Sequence, residues 1–171
     1  MAELAVTAIG ADRPGIIARV TGVLLEHGGN LQDASMTILR GHFAIMLLVT
    51  SDADPAQLEA ALAEATADLG LVVTVRPVGP GAHSAPPTHM LSVYGSDRPG
   101  IVHAVTSVLA DHRVNVTDLT TRLLAGEQAV YAMMLEVSLP AGLAQDALAD
   151  AVATHVQGVE VSIHPLEAQT F

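Results

Sequence analysis

The residues with the most chemistry lie in two identical turns. Gly10, Asp12, Arg13, Pro14, Gly15 and Ile16 read G-x-D-R-P-G-I, and Gly95, Asp97, Arg98, Pro99, Gly100 and Ile101 read the same. Each turn joins a carboxylate, a guanidinium and a flexible glycine to an expected helix start. Free amides and the positive dipole end of a helix start suit a bound carboxylate. Gly15 and Gly100 let a ligand approach the backbone closely. Asn30 and Asn115 follow at matched distances, and each carries both donor and acceptor atoms. Asp12 or Asp33 could pair with a cationic group. This is recognition chemistry, and it is complete only if a second module supplies the remaining wall.

Structural roles explain the same residues. Asp12 and Asp97 serve equally well as helix N-caps, with Pro14 and Pro99 in the first turn. Gly15 and Gly100 allow tight helix–strand packing, Asn30 and Asn115 suit turns, and Arg13 and Arg98 suit solvent. His27 and His112 recur in the last turn of an expected helix, where a cation meets the negative dipole end.

Bond-making chemistry has no comparable footing. The sequence has no G-x-S-x-G elbow, no Walker A motif and no G-x-G-x-x-G after a strand. Its eight histidines show neither H-x-H nor H-x-x-x-H spacing, so neither a metal site nor a cofactor is expected. Asp52 and Asp54 lead into Pro55 at an expected helix start, where acidic residues are favoured electrostatically.

Composition narrows the partners. Seven Arg and no Lys stand against 18 acidic residues, for a formal charge of −11. Neutralising phosphates needs a basic face that is absent here, so direct nucleic-acid binding is disfavoured. There is no cysteine, which fits a cytoplasmic setting. Met1-Ala2-Glu3 leads straight into an alternating segment, so no signal peptide is expected. No apolar run reaches the ~18 residues of a membrane helix. Half of the 171 residues are apolar but only four are aromatic, so the cores must be built from Val, Ile, Leu, Met and Ala.

The elements that position the turns follow from an internal repeat. At an offset of 85 (97 − 12), Val20, Thr21, Val23, Leu24, His27, Asn30 and Asp33 meet Val105, Thr106, Val108, Leu109, His112, Asn115 and Asp118. The offset then becomes 88, where Phe43 meets Tyr131 and Pro77 meets Pro165, so three residues are inserted near Leu124–Gln128. Residues 1–78 form one domain and 89–171 the other, around a Gly/Pro-rich linker at 79–88.

Leu4 to Ile9 alternates as a strand. Ile16, Ile17, Val20, Val23 and Leu24 form a helical stripe, repeated by Ile101, Val102, Val105, Val108 and Leu109. His27-Gly28-Gly29 ends the helix. Leu31–Leu39 and Phe43–Thr50 read as strands around an Arg40-Gly41 hairpin, Pro55–Leu69 as a helix, and Leu71–Val78 as a last strand. Of the neighbours Met133 and Met134, at least one should enter the core. The order β-α-β-β-α-β, twice, predicts an α+β protein of two tandem ferredoxin-like modules, helices on one face of antiparallel sheets.

That order, with D-R-P-G-I at the first turn and Gly-Asn-Leu opening the second strand, resembles the ACT domain, and the resemblance covers both copies. Tandem modules of this kind look closest to the glycine cleavage system transcriptional repressor group. The turn also resembles the paired modules that precede some phosphoserine phosphatases, but no D-x-D-x-T motif is present.

The resemblance implies an amino acid, glycine or serine, bound between modules. Asp12 and Asn30, with Asp97 and Asn115, would contact it, supported by Arg13, Gly15, Arg98 and Gly100. It also implies a homodimer, no catalysis, and an effector protein such as a transcription factor. Serine-binding members carry Asn or His where this chain has Asp. Against the sensor stands a ligand-free interaction module. Exposed strand positions Ser35, Thr37, Thr120 and Arg122 form no patch that separates the two.

Overall fold

The computed structural model describes residues 2–79, 85–124 and 130–166. The chain divides into two compact units, Met1–Ala82 and His83–Phe171. The first contains β1 (Ala2–Ala11), α1 (Ile16–Glu26), β2 (Asn30–Leu39), β3 (His42–Ser51), α2 (Pro55–Ala65), a 3-10 turn (Ala67–Leu69) and β4 (Val72–Val78). The second contains β5 (His89–Ser96), α3 (Ile101–Asp111), β6 (Asn115–Leu124), β7 (Val130–Ser138), α4 (Gln145–His155) and β8 (Val159–Pro165). The sheets run β2-β3-β1-β4 and β6-β7-β5-β8, antiparallel at every pairing. Each unit is the expected βαββαβ module.

Strand alternation sends Leu4, Val6 and Ala8 of β1, with Phe43, Ile45, Leu47 and Val49 of β3, to the helix-covered face. On α1, Ile16, Val20, Val23 and Leu24 close over them at helical spacing, as Ile101, Val105, Val108 and Leu109 do on α3. Ile17, expected in the stripe, is exposed instead, because the buried arc of α1 runs through Ile16 and Val20. Met133 is fully buried while Met134, on the opposite face of β7, is only half-buried.

The turns obey local chemistry. Gly28, at φ 66°, donates to Leu25 O, and Gly29 donates to Leu24 O at 2.7 Å. This paired C-terminal cap lets the chain leave α1. In the second copy Arg113 holds the same left-handed position at φ 56°, without the benefit of a glycine. Arg40 and Gly41 both have positive φ, as a two-residue hairpin requires, and pair Leu39 with His42. The equivalent strands β6 and β7 pair Leu124 with Val130. Five residues separate the second pair against two in the first, so the three extra residues belong to this connection. Residues 125–129 themselves lie outside the described residues.

Asp54 caps α2, its Oδ1 accepting from the amides of Ala56 and Gln57 at 3.0 Å each. The single helix expected over Pro55–Leu69 stops at Ala65. Buried Thr66 donates its hydroxyl to Leu62 O at 2.8 Å, and the chain tightens into the 3-10 turn. Of the expected linker, residues 80–84 are not described. Ala85–Thr88 attach to the second unit: Ser138 Oγ donates to the carbonyls of Ala85 and Pro86, and Thr88 N donates to Val137 O at 2.8 Å.

Candidate functional site

Each D-R-P-G turn leaves the inner strand of its sheet and enters a helix through a glycine. Gly15 (φ 91°) and Gly100 (φ 88°) are the N-cap residues of α1 and α3, and no side chain caps either helix. The expectation that Asp12 and Asp97 cap these helices is therefore corrected. Both lie three residues before the glycine that takes the cap, too early for their carboxylates to reach the first-turn amides. Pro14 and Pro99 lie outside the helices for the same reason. Intrahelical bonding leaves the first amides of a helix without intrahelical partners, and although the Ile101 amide turns back to Arg98 O at 3.4 Å, the dipole at both ends keeps its affinity for negative charge.

The φ near 90° gives a direct prediction. A Cβ added to Gly15 or Gly100 meets no atom within 4 Å, so substitution causes no collision. The cost lies in the backbone alone. Gly15→Ala and Gly100→Ala should each destabilise by about 1–2 kcal/mol in urea titration. A neutral result would mean that the turn relaxes to negative φ.

The arginines tie the turn down. Arg13 Nη1 donates to Asp68 O at 3.4 Å, within the 3-10 turn, and Arg98 Nη2 donates to Gln157 O in the equivalent return. Both guanidiniums thus fasten the turn to the end of the second helix of their own unit, a role that neither solvation nor carboxylate steering had foreseen. The Asp12 amide donates to Gly41 O at 2.9 Å, joining the turn to the β2–β3 hairpin. His27 and His112 are structural: with Nδ1 protonated they donate to Val23 O at 2.9 Å and Val108 O at 2.8 Å.

Asn30 does not join Asp12 within a unit. It pairs with Thr50, which also pairs with Glu3 at the start of β1, whereas Asp12 follows the far end of that strand. Nine residues at about 3.3 Å each separate the two levels by about 30 Å. Asn115 pairs with Ser138 at the corresponding end of its sheet, far from Asp97. Asp33 follows a bulge at Gln32 and accepts from the neighbouring Ala34 amide at 2.8 Å, a local role that competes with ammonium binding.

A depression of about 280 Å³ in the second unit involves residues that sequence reading passed over. It is lined by Arg98, Pro99, Gly100, Ile101, Ala104, His155 and Val156. The aligned repeats do carry a signal for it, since Arg19 of the first copy falls opposite Ala104 of the second. Among the described residues, no group of three His, Cys, Asp or Glu could hold a metal, and no helix is long and apolar enough to cross a membrane.

Two βαββαβ units, each with its glycine turn at the first helix, define a tandem ACT-domain protein. The ACT domain family matches residues 3–76 and again residues 89–138, and the chain belongs to that family. It is similar to the glycine cleavage system transcriptional repressor of Escherichia coli, at 28% identity over 130 residues, 72% of this chain and 66% of that protein. It is also 43% identical over 79 residues to a UPF0237 protein of Methanopyrus kandleri, covering 44% of this chain and 88% of the relative. A crystal structure of an unknown protein from Galdieria sulphuraria superposes with a TM-score of 0.80 at 27% identity, over 97% of this chain and 99% of that one.

Proposed function

We propose that this protein is an amino-acid-sensing regulator with no catalytic activity of its own. Its ligand is held between ACT modules and changes the affinity for an effector protein. The observation that carries the reading is the doubled D-R-P-G turn, with an uncapped helix N-terminus behind it in both units. The E. coli relative, named as a glycine cleavage system transcriptional repressor, supports glycine over serine as ligand and transcription of amino-acid metabolism as output. The charge of −11 favours a protein effector, such as a transcription factor, over direct contact with DNA. The cytoplasm, where that amino-acid pool lies, is the proposed setting.

Because Asp12 and Asn30 of one unit stand about 30 Å apart, a ligand touching both kinds of residue needs two modules, supplied within one chain or across the proposed homodimer. Ligand then shifts the effector equilibrium only by its preference for one packing over another. A second reading, a ligand-free interaction module, draws support from the exposed apolar edge strand β2.

A thermal-shift screen against the twenty amino acids at millimolar concentration separates them. A ligand present at one hundred times its dissociation constant stabilises the folded state by about 2.7 kcal/mol, so a selective rise in midpoint is the expected result. Asn30→Ala and Asn115→Ala should weaken that ligand about tenfold or more, through lost hydrogen bonds to a charged group. A flat panel would instead favour the interaction module.

A further inference from the structure

The two glycine turns have different surroundings. In the first unit Arg19, one turn into α1, donates to the Ala65 carbonyl at 3.2 Å and forms an ion pair with Asp68. Asp68 is available because the return from α2 to β4 makes the 3-10 turn Ala67–Leu69. The second unit has neither partner. The residue aligned with Arg19 at the offset of 85 is Ala104, and no 3-10 turn follows α4.

The lengths of the returns explain why. Buried Leu58, Leu62 and Thr66 on one side match buried Leu148, Val152 and Val156 on the other, an offset of 90 (148 − 58). The left-handed glycines that end the two returns, Gly70 and Gly158, are only 88 apart (158 − 70). The second return is therefore two residues shorter, and the segment that carries Asp68 is missing. Where the first unit has an ion pair, the second has the depression of about 280 Å³ beside Arg98 and Ala104.

Its lining is chemically one-sided. Arg98 gives one hydrogen bond to Gln157 O, and its remaining N–H donors form a planar fork that matches a carboxylate. His155, with Nδ1 on Ala151 O at 2.8 Å, adds a second basic side chain. Buried Ile101 and Val156 make an apolar floor, and no Asp or Glu contributes to the wall. The volume falls below that of typical drug-sized pockets and suits a small metabolite.

We propose that this depression is a binding site for one small carboxylate with a short aliphatic group, and that the second unit alone holds it. The proposal rests on the sensor reading for the class of ligand alone; this site lies within one unit and is additional to the one proposed between modules. The carboxylate meets Arg98, and the aliphatic group covers Ile101, Ala104 and Val156. In the first unit Arg19 stands at the position of Ala104 and pairs with Asp68.

The test is calorimetry on the full chain with L-valine and with isovalerate, which has the same carbon skeleton without the ammonium. The expected result is one site per chain for at least one probe. Ala104→Arg, which imitates the first unit, and Ala104→Leu, which fills the space without charge, should each weaken binding about tenfold or more, as should Arg98→Gln. Arg19→Ala, at the matching position of the first unit, should leave the affinity unchanged. Circular dichroism and the melting midpoint show whether each variant is folded, and the neutral filler serves if Ala104→Arg is not. Binding of both probes means that the carboxylate alone is read; binding of L-valine only means that the ammonium is read too. Unaltered affinity in the folded Ala104 variants, or two sites per chain, overturns the proposal and leaves the sensor reading intact. No heat with either probe also overturns it, and the twenty-amino-acid screen then judges the sensor reading on its own.

Discussion

Leu62→Ala should destabilise the first unit by about 2–5 kcal/mol, the range for truncating a fully buried leucine. Leu62 lies on α2 with no exposed surface, inside the cluster formed with Leu58, Leu4, Val6 and the inner residues of β3. Its removal strands the surrounding methyl groups around a cavity that the sheet cannot close. For a unit of this size the midpoint of thermal unfolding should fall by about 10 °C or more. The control is Leu25→Ala: Leu25 is on α1 but 76% exposed, so its truncation should change stability by no more than about 0.5 kcal/mol. Equal effects for the two leucines in urea titration would mean that α2 does not pack on the sheet as described.

In the proposed homodimer, Met36→Lys combined with Ile38→Lys should abolish self-association while leaving the fold intact. Every residue of β2 is exposed, and the run Ala34–Leu39 carries no charge. Met36 and Ile38 point to the helix side of the sheet, level with Ile45 and Phe43, yet remain 44% and 48% exposed because β2 lies at the edge. An unpaired apolar edge is a template for a second strand, and proteins that avoid such pairing place lysine there. Asp33 of β2 and Asp118 of β6 match, but β6 also carries Arg122 where β2 has Thr37, so β2 is the stronger candidate for the proposed dimer edge. An uncompensated buried charge costs about 3–5 kcal/mol. The dimer dissociation constant should therefore rise by at least about a hundredfold, measured by sedimentation equilibrium. A wild-type monomer, or a dimer unchanged in the double variant, would remove β2 from the assembly.

Much of the architecture was legible because short-range chemistry decides it. The apolar stripe on α1, the Arg40-Gly41 hairpin and the glycine exit after His27 are local patterns, and they stand in the structure except that Ile17 falls outside the buried stripe. The change of offset from 85 to 88 correctly implied extra residues between β6 and β7. Local reading failed where two good local solutions compete. Asp12 has the chemistry of a cap, but a left-handed glycine three residues later takes that position. The Ala-rich run through Leu69 has helical propensity throughout, but Thr66 turns its hydroxyl back on Leu62 and ends the helix early. The offset of 85 sets Arg113 opposite Gly28, but nothing in an arginine announces a positive φ.

The candidate site divides along the same line. The sequence alone determined the duplication, the βαββαβ order, the core faces and the doubled D-R-P-G turn, because these depend on residue type, spacing and period. Tertiary structure alone decided that Asp12 and Asn30 stand at opposite ends of one sheet, that β2 is an open edge, and that Arg13 and Arg98 reach across to the second-helix returns. It also decided that Arg19 and Asp68 meet across one unit while Ala104 borders an open depression in the other. Those relations join residues from 18 (30 − 12) to 59 positions apart through strand order and helix packing. No local pattern carries that information, because pairing across a sheet is settled by which faces the whole module can bury together.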